Sequence, residues 1–123
     1  MFRLLITGSR TWNDKAVIVS ELVQFARVHG KEVTLVSGGA RGADSICESV
    51  AMKLGWAIEV HKADWDSQPD GSYNKRAGFQ RNELMVLLGA DACLAFVKDD
   101  SQGAQHTAHL ATKAGIPTAV ISN

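Results

Sequence analysis

The sequence has few cysteines, few prolines and no excess of charge of either sign. Its 123 residues include two cysteines and two prolines, and thirteen Lys and Arg residues balance thirteen Asp and Glu residues. Cys47 and Cys93 lie far apart in apolar surroundings, so they form neither a CxxC motif nor a disulfide framework, and we expect reduced core thiols. Zero net charge argues against nucleic acid as a partner, although it is compatible with a small local basic patch.

Long apolar runs are also missing. The apolar N-terminal run, residues 1–7, is too short for a signal peptide, and no stretch approaches the roughly 20 apolar residues of a transmembrane helix. We therefore expect a cytoplasmic protein without a membrane partner. A hydrophobic fraction of 46% and a charged fraction of 21% are typical of globular proteins, and the length predicts a single domain over residues 1–123.

The sequence does contain a regular alternation of strand-like and helix-like segments. Short apolar runs predict five strands, at residues 2–7, 33–37, 57–61, 92–97 and 117–121. Helical apolar spacing predicts four helices, the first capped by Asn13 or Asp14 and ending near His29, the others at 43–54, 78–88 and 105–114. This alternation predicts an α/β fold with a mostly parallel five-stranded sheet between two helical layers.

Ligands of such sheets bind beyond the carboxyl ends of the strands, near the point where the strand order reverses. The strand order 3-2-1-4-5 would place the first and fourth strands side by side and open a crevice between the loops that follow them. We then expect loops 8–12 and 101–107 to form its walls, with loop 38–44 adjacent. Arg81 is expected to reach the crevice from the helix before the fourth strand.

The loops after the first two strands suit an anionic ligand. Gly8 allows a close backbone approach, and Ser9 and Arg10 supply a hydroxyl and a guanidinium group. After the second strand, a GGxxG turn opens an amphipathic helix, whose free amide N–H groups suit a phosphate. The turn is neither a Walker A loop nor a GxGxxG motif. The same residues could be explained without a ligand, if the glycines only allow crowded turns and Arg10 pairs with a surface carboxylate.

Polar and aromatic residues in the remaining loops extend this prediction. Gly103 precedes a predicted helix start, with His106 and Thr107 as polar contacts. His106 and His109 have no third ligand nearby, so we expect no metal site. The long loop at 62–76 is expected to be exposed, and a loop of that length in so small a domain is usually either functional or disordered. Three aromatic residues in predicted loops are candidates for stacking on a nucleobase, partial burial being the alternative: Trp12, Trp65 and Tyr73.

Several short motifs follow one another in order between residues 4 and about 120. They are Gly8-Ser9-Arg10, Gly38-Gly39-Ala40-Arg41-Gly42-Ala43-Asp44, Ala63-Asp64-Trp65, Ala77-Gly78, Arg81-Asn82, Met85, Gly103 and Thr107. This ordered set resembles the YspA-type members of the SLOG superfamily, which includes the LOG phosphoribohydrolases and the DNA-processing protein DprA. The resemblance implies a Rossmann-like fold that binds a nucleotide or a nucleotide-derived ligand, needs no cofactor and self-associates. Such proteins are common in bacteria and their phages.

The resemblance to the LOG enzymes supports a catalytic role for this chain less well than it supports ligand binding. In LOG enzymes a glutamate of a Gly-Thr-x-x-Glu motif works near the ribose, whereas the aligned position here holds Thr107, and Asn82 replaces a lysine after Arg81. Cleavage of an N-glycosidic bond requires a carboxylate to stabilise charge and activate water. Asp44 and Asp64 are the candidates for it. Nothing in the sequence places either at an anomeric carbon, so the catalytic residue stays unassigned.

Three functions therefore remain open. The first is a module that binds a nucleotide-derived ligand, as a sensor or a processing protein. The second is an N-glycosidic hydrolase of nucleoside monophosphates or NAD-like dinucleotides. The third, single-stranded DNA binding, is disfavoured by the zero net charge. The predicted ligand- and phosphate-binding residues are Gly8, Ser9, Arg10, Gly38, Gly39, Arg41, Gly42, Asp44, Arg81, Asn82, Gly103 and Thr107.

Overall fold

The computed structural model describes residues 1–65 and 76–122, so Tyr73 and residues 66–75 of the predicted long loop lie outside the described residues. The elements are β1 (Phe2–Gly8), α1 (Lys15–His29), β2 (Val33–Ser37), α2 (Ala43–Leu54), β3 (Ala57–Val60), α3 (Ala77–Leu88), β4 (Ala92–Val97), α4 (Gln102–Lys113) and β5 (Thr118–Ser122). All strand pairs are parallel, in the order β3-β2-β1-β4-β5. The Rossmann-like α/β fold and the predicted strand order are confirmed.

The central strand β1 is covered on both faces, as parallel sheets require. Leu4 and Ile6 are fully buried in the larger core cluster, together with Ile18 and Leu22 of α1 and residues of α2. Leu5 belongs instead to a second cluster with residues of α3 and α4. The alternation of consecutive β1 side chains between the two clusters produces the three α/β/α layers.

Side-chain caps determine where two of the helices begin. Asp14 caps α1, because its carboxylate accepts a hydrogen bond of 3.3 Å from the backbone N–H of Val17. At α4 the predicted start at residue 105 is wrong. The helix begins at Gln102, because the Ser101 hydroxyl accepts a hydrogen bond of 3.5 Å from the N–H of Ala104. Gly103 therefore lies inside the first turn of α4 instead of preceding the helix.

The helices are short compared with a lipid bilayer. The longest described helix, α1, has 15 residues, whereas a membrane-spanning helix needs about 20 apolar residues. Across the described ranges, 1–65 and 76–122, no helix combines the length and the apolar character needed to cross a membrane.

Candidate functional site

A cleft of about 370 Å³ opens at the carboxyl edge of the sheet, between the loops that follow β1 and β4. The start of α2, one side of α3 between Gly78 and Met85, and the start of α4 complete its walls. Its lining residues are Thr7, Gly8, Ser9, Arg10, Thr11, Ala40, Asp44, Gly78, Phe79, Arg81, Asn82, Met85, Lys98, Asp99, Ser101, Gly103 and Ala104. Segments far apart in sequence thus meet where the strand order reverses, as the predicted topology requires.

A second concavity of about 490 Å³ adjoins the cleft and shares Arg10, Ala40 and Arg81 with it. Its remaining lining residues are Gly38, Gly39, Arg41, Lys62, Ala63 and Trp65. We refer to this concavity as the basic hollow, because arginine and lysine supply all of its charged side chains among the residues that the structure describes.

Glycines allow the start of α2 to lie directly against the end of β1. Gly42 has a φ of +77°, and a Cβ atom there would lie 2.5 Å from the carbonyl oxygens of Ser9 and Arg10. The backbone N–H of Ala43 donates to the Ser9 carbonyl oxygen at 3.2 Å. This close approach places the first turn of α2, with Asp44, in the wall of the cleft.

Asp44 is a buried carboxylate with one oxygen that lacks a hydrogen-bond partner. Its side chain lines the cleft although the residue is only 5% exposed. The Oδ2 atom accepts a hydrogen bond of 3.2 Å from the N–H of Ala40, whereas Oδ1 has no partner among the described residues. Burial raises the pKa of Asp44 to about 6, and the Ala40 N–H and the charge of Arg81 partly offset that effect. A buried acceptor of this kind suits a donor from a ligand.

Arg81 is a half-buried cation held by hydrogen bonds at the border between the cleft and the basic hollow. Its Nη1 atom donates to the Gly38 carbonyl oxygen at 2.6 Å, and its Nε atom donates to Asn82 Oδ1 at 2.8 Å. Asn82 in turn donates from Nδ2 to the Gly103 carbonyl oxygen at 3.4 Å. Burial lowers the pKa of Arg81, and the nearby Asp44 carboxylate opposes that shift. The guanidinium group is therefore positioned before a ligand arrives.

Ser9 connects the two loops that form the cleft walls. Its hydroxyl donates to the Lys98 carbonyl oxygen at 2.8 Å and accepts from the Lys98 N–H at 2.7 Å. The backbone N–H of Ser9 donates to the Phe96 carbonyl oxygen at 2.9 Å. The hydroxyl that the sequence suggested for a phosphate is thus engaged with backbone, and Ser9 positions the loops instead of presenting a free hydroxyl.

The wall that follows β4 has an unusual backbone conformation. Asp99 and Asp100 have φ values of 56° and 50°, a region that non-glycine residues seldom adopt. The Asp99 carboxylate accepts a hydrogen bond of 3.0 Å from the Thr11 hydroxyl, which ties this turn to the loop after β1. Strained turns held by their surroundings are typical of ligand sites.

Some of the predicted residues do not reach the cleft. Trp12 is 2% exposed, its ring packs edge-on against Phe96 with centroids 5.4 Å apart, and Nε1 donates to the Asp14 carbonyl oxygen. A buried core position does not fit the expected base-stacking role. Thr107 is fully buried, and its hydroxyl donates to a backbone carbonyl within α4. Asp64 is exposed and lines neither the cleft nor the basic hollow.

Phe79 lines the cleft and was not predicted. It is 38% exposed, and its ring meets the His106 ring edge-on with centroids 4.6 Å apart. The sequence signal is an aromatic residue two positions before Arg81, at the start of α3, but only the helix orientation shows that it faces the cleft. Of the predicted stacking residues, Trp65 lines the basic hollow, where the Arg10 guanidinium carbon lies 5.9 Å from its ring centroid.

A comparison with solved structures shows that the fold is shared with a DNA-processing protein. A structure of DNA processing protein A from Helicobacter pylori, described for its single-stranded DNA binding mode, superposes with a TM-score of 0.66. The match covers 97% of this chain at 21% sequence identity. This chain spans 64% of the length of that structure, and the likeness concerns the fold.

This likeness corrects the sequence-based prediction that nucleic acid is not a partner. The prediction is wrong, because a protein that shares the fold is described as binding single-stranded DNA. Zero net charge averages over the whole surface and conceals a local cluster of Arg10, Arg41, Lys62 and Arg81 around the basic hollow.

Sequence comparisons identify the family. The Gene 61 protein of Mycobacterium phage D29 is 41% identical over 122 residues, which cover 95% of this chain and 94% of that protein. A family model described as the YspA, cpYpsA-related SLOG family matches residues 2–67, the half of the chain that contains Gly8 and the GGxxG turn. The chain belongs to the YspA, cpYpsA-related SLOG family.

Proposed function

We propose that the protein binds a nucleotide or a nucleotide-derived ligand in the cleft. The observation that carries this proposal is that Asp44 lines a cleft flanked by Arg10 and Arg81, and that its buried Oδ1 atom has no hydrogen-bond partner among the described residues. Leaving a buried carboxylate oxygen without a donor is unfavourable. A ligand hydroxyl or amino group would supply the donor, and an anionic group of the same ligand would pair with the two guanidinium groups.

The distribution of polar and apolar residues supports a nucleotide. Arg10, Arg81, Lys98, Asp44 and Asp99 are the charged residues of the cleft lining, whereas Phe79 provides exposed apolar surface for a base. A volume of about 370 Å³ lies within the range of roughly 300–1,000 Å³ that is usual for small-molecule sites. Under this proposal the phosphate lies near the arginines, the base near Phe79, and a sugar hydroxyl near Asp44.

A second candidate function is the binding of single-stranded DNA, which the basic hollow favours. Its arginine and lysine side chains suit a phosphate backbone, and Trp65 offers an aromatic ring beside them. The described part of the chain contains no acidic residue in this lining that would repel a strand.

The test is a screen of nucleoside mono-, di- and triphosphates and NAD by thermal shift, with calorimetry of each stabilising compound. Arg10→Gln is expected to weaken binding about tenfold, because it removes a charge-assisted contact. Arg27→Gln is the matched control: Arg27 is also an exposed arginine but lies on α1 and lines neither concavity. The proposal fails if no compound binds or if the two variants behave alike. Release of free base from a bound compound would identify a hydrolase.

A further inference from the structure

The basic hollow contains more positive charge than a mononucleotide in the cleft would use. Arg41 and Lys62 line the hollow but not the cleft, whereas Arg10 and Arg81 line both. Within residues 1–65 and 76–122, none of the three residues Arg10, Arg41 and Lys62 forms a salt bridge. Like charges gathered around one concavity repel each other, so an anion there would be bound favourably.

The two concavities form one continuous surface, because Arg10, Ala40 and Arg81 belong to both. Each concavity also has its own aromatic side chain, Phe79 in the cleft and Trp65 in the hollow. Phe79 thus lines only the cleft, Arg10 and Arg81 are shared, and Arg41, Lys62 and Trp65 line only the hollow. These groups suit a ligand with two phosphates and an aromatic base on either side of the shared arginines.

We propose that the ligand is longer than a mononucleotide, and that a sugar–phosphate chain with at least two phosphate groups runs from the cleft into the basic hollow. The first phosphate lies between Arg10 and Arg81, and the second contacts Arg41 and Lys62. This inference rests on the proposed function, since it takes the cleft as a nucleotide site. The same chemistry occurs in a free dinucleotide and at the end of a single strand of nucleic acid.

The experiment compares ligands of increasing length by calorimetry. The probes are the four nucleoside 5′-monophosphates, the corresponding 5′-phosphorylated homodinucleotides and ten-nucleotide homopolymers, each in ribo and deoxy form. For the base that binds best, the dinucleotide is expected to bind about tenfold more tightly than the monophosphate, because it adds a charge-assisted contact. Affinity that stops rising at two nucleotides indicates a free dinucleotide. Affinity that continues to rise, with a steeper salt dependence, indicates a single strand.

The variant Arg41→Gln/Lys62→Gln tests the second phosphate position directly. It is expected to remove the dinucleotide advantage while affinity for the monophosphate stays within about twofold, because neither residue lines the cleft. The control is Lys15→Gln/Arg27→Gln, which removes the same charge from exposed positions on α1 and should leave both affinities unchanged. Equal effects of the two double variants would mean that only the overall charge acts.

Tryptophan fluorescence gives an independent readout. Trp12 and Trp56 are 2% and 5% exposed, whereas Trp65 lines the hollow, so occupation of the hollow should change mainly Trp65 emission. The dinucleotide is expected to change the emission of the wild-type protein more than the monophosphate does, and neither is expected to change the emission of Trp65→Phe. The inference is overturned if mono- and dinucleotides bind equally or if Arg41→Gln/Lys62→Gln keeps the preference. If no probe binds at all, the proposed function itself fails.

Discussion

The guanidinium group of Arg81 donates a hydrogen bond of 2.6 Å to the carbonyl oxygen of Gly38, a residue 43 positions earlier in the chain. This contact joins the start of α3 to the turn after β2 and holds the cation where the cleft and the basic hollow meet. Gly38 is also the reason that the guanidinium fits, because a Cβ atom there would lie 2.5 Å from Arg81 Nη1.

Gly38→Ala is expected to displace the Arg81 side chain without unfolding the protein. The three atoms nearest to the new methyl group all belong to the flexible end of that side chain, so we expect a stability loss of about 1 kcal/mol and a nucleotide affinity about tenfold lower. Urea unfolding and calorimetry measure the two effects. In an Arg81→Ala background the same substitution should have little further effect on either quantity. An undiminished effect there would show that it does not act through Arg81.

Asp44→Asn is expected to stabilise the free protein at neutral pH and to weaken ligand binding. Because burial raises the pKa of Asp44 in the folded state to about 6, the folded protein binds more protons than the unfolded chain between about pH 4 and pH 6. Stability therefore falls as the pH rises through this window, by on the order of 3 kcal/mol in total. Urea unfolding from pH 4 to 8 should show a slope for wild type that is reduced in the variant.

Glu32→Gln is the control for this pH dependence, since Glu32 is exposed and its side chain forms no hydrogen bond or salt bridge within residues 1–65 and 76–122. It should retain the wild-type slope between pH 4 and 6. Identical slopes for wild type and Asp44→Asn would contradict the assignment of the slope to Asp44. Tighter ligand binding by Asp44→Asn would contradict the role of the Asp44 carboxylate as an acceptor.

Ser9→Ala is expected to destabilise the protein by about 1–3 kcal/mol, because it removes both hydrogen bonds of the buried Ser9 hydroxyl and leaves the backbone N–H of Lys98 without that acceptor. The measurement is the free energy of unfolding in urea. Ser20→Ala is the matched control: Ser20 is exposed on α1, and its replacement should change stability by less than about 0.5 kcal/mol. If Ser9→Ala and Ser20→Ala lost similar amounts of stability, the hydrogen bonds of Ser9 would not be what holds the two loops together.

Glu59→Gln is expected to lower stability by less than about 1 kcal/mol at neutral pH. The carboxylate of Glu59 accepts two hydrogen bonds from Arg3, at 3.0 and 2.9 Å, and its Oε2 atom lies 2.7 Å from Nε2 of His61. These interactions lower the pKa of Glu59 to about 2. The side chains of Arg3 and Glu59 are 31% and 35% exposed, so solvent screens the pair. The contribution is present above about pH 4.5 and disappears as the pH falls toward 2. A loss of stability that does not change with salt concentration or pH would contradict this assignment.

The fold could be predicted because its signals are local. Asp14 precedes a helical pattern, and its side chain caps α1. The apolar runs of β1 and β2 are short and bounded by glycine, as buried parallel strands usually are. The sequence predicts the start of α4 at residue 105, because it takes Gly103 to precede the helix, whereas Ser101 caps the helix and Gly103 lies in its first turn.

The candidate site could be predicted only in part. Glycines and arginines after strands indicate an anion site, and the strand order brings their segments together. Side-chain orientation is different, because it depends on packing between distant elements. Trp12 is buried against Phe96, and Phe79 faces the cleft through its position on α3. Neither outcome has a local signal in the sequence.

The hydrogen bonds between Ser9 and Lys98 connect residues 89 positions apart, and this separation has a kinetic consequence. Contacts that close so long a loop are slow to form. A nascent chain that ends at the start of α2 contains β1, α1, β2 and the GGxxG turn but only one wall of the cleft. The cleft therefore exists only once β4 has paired with β1. A ligand that binds only the completed cleft would slow unfolding without speeding folding, and so would prolong the lifetime of the native protein.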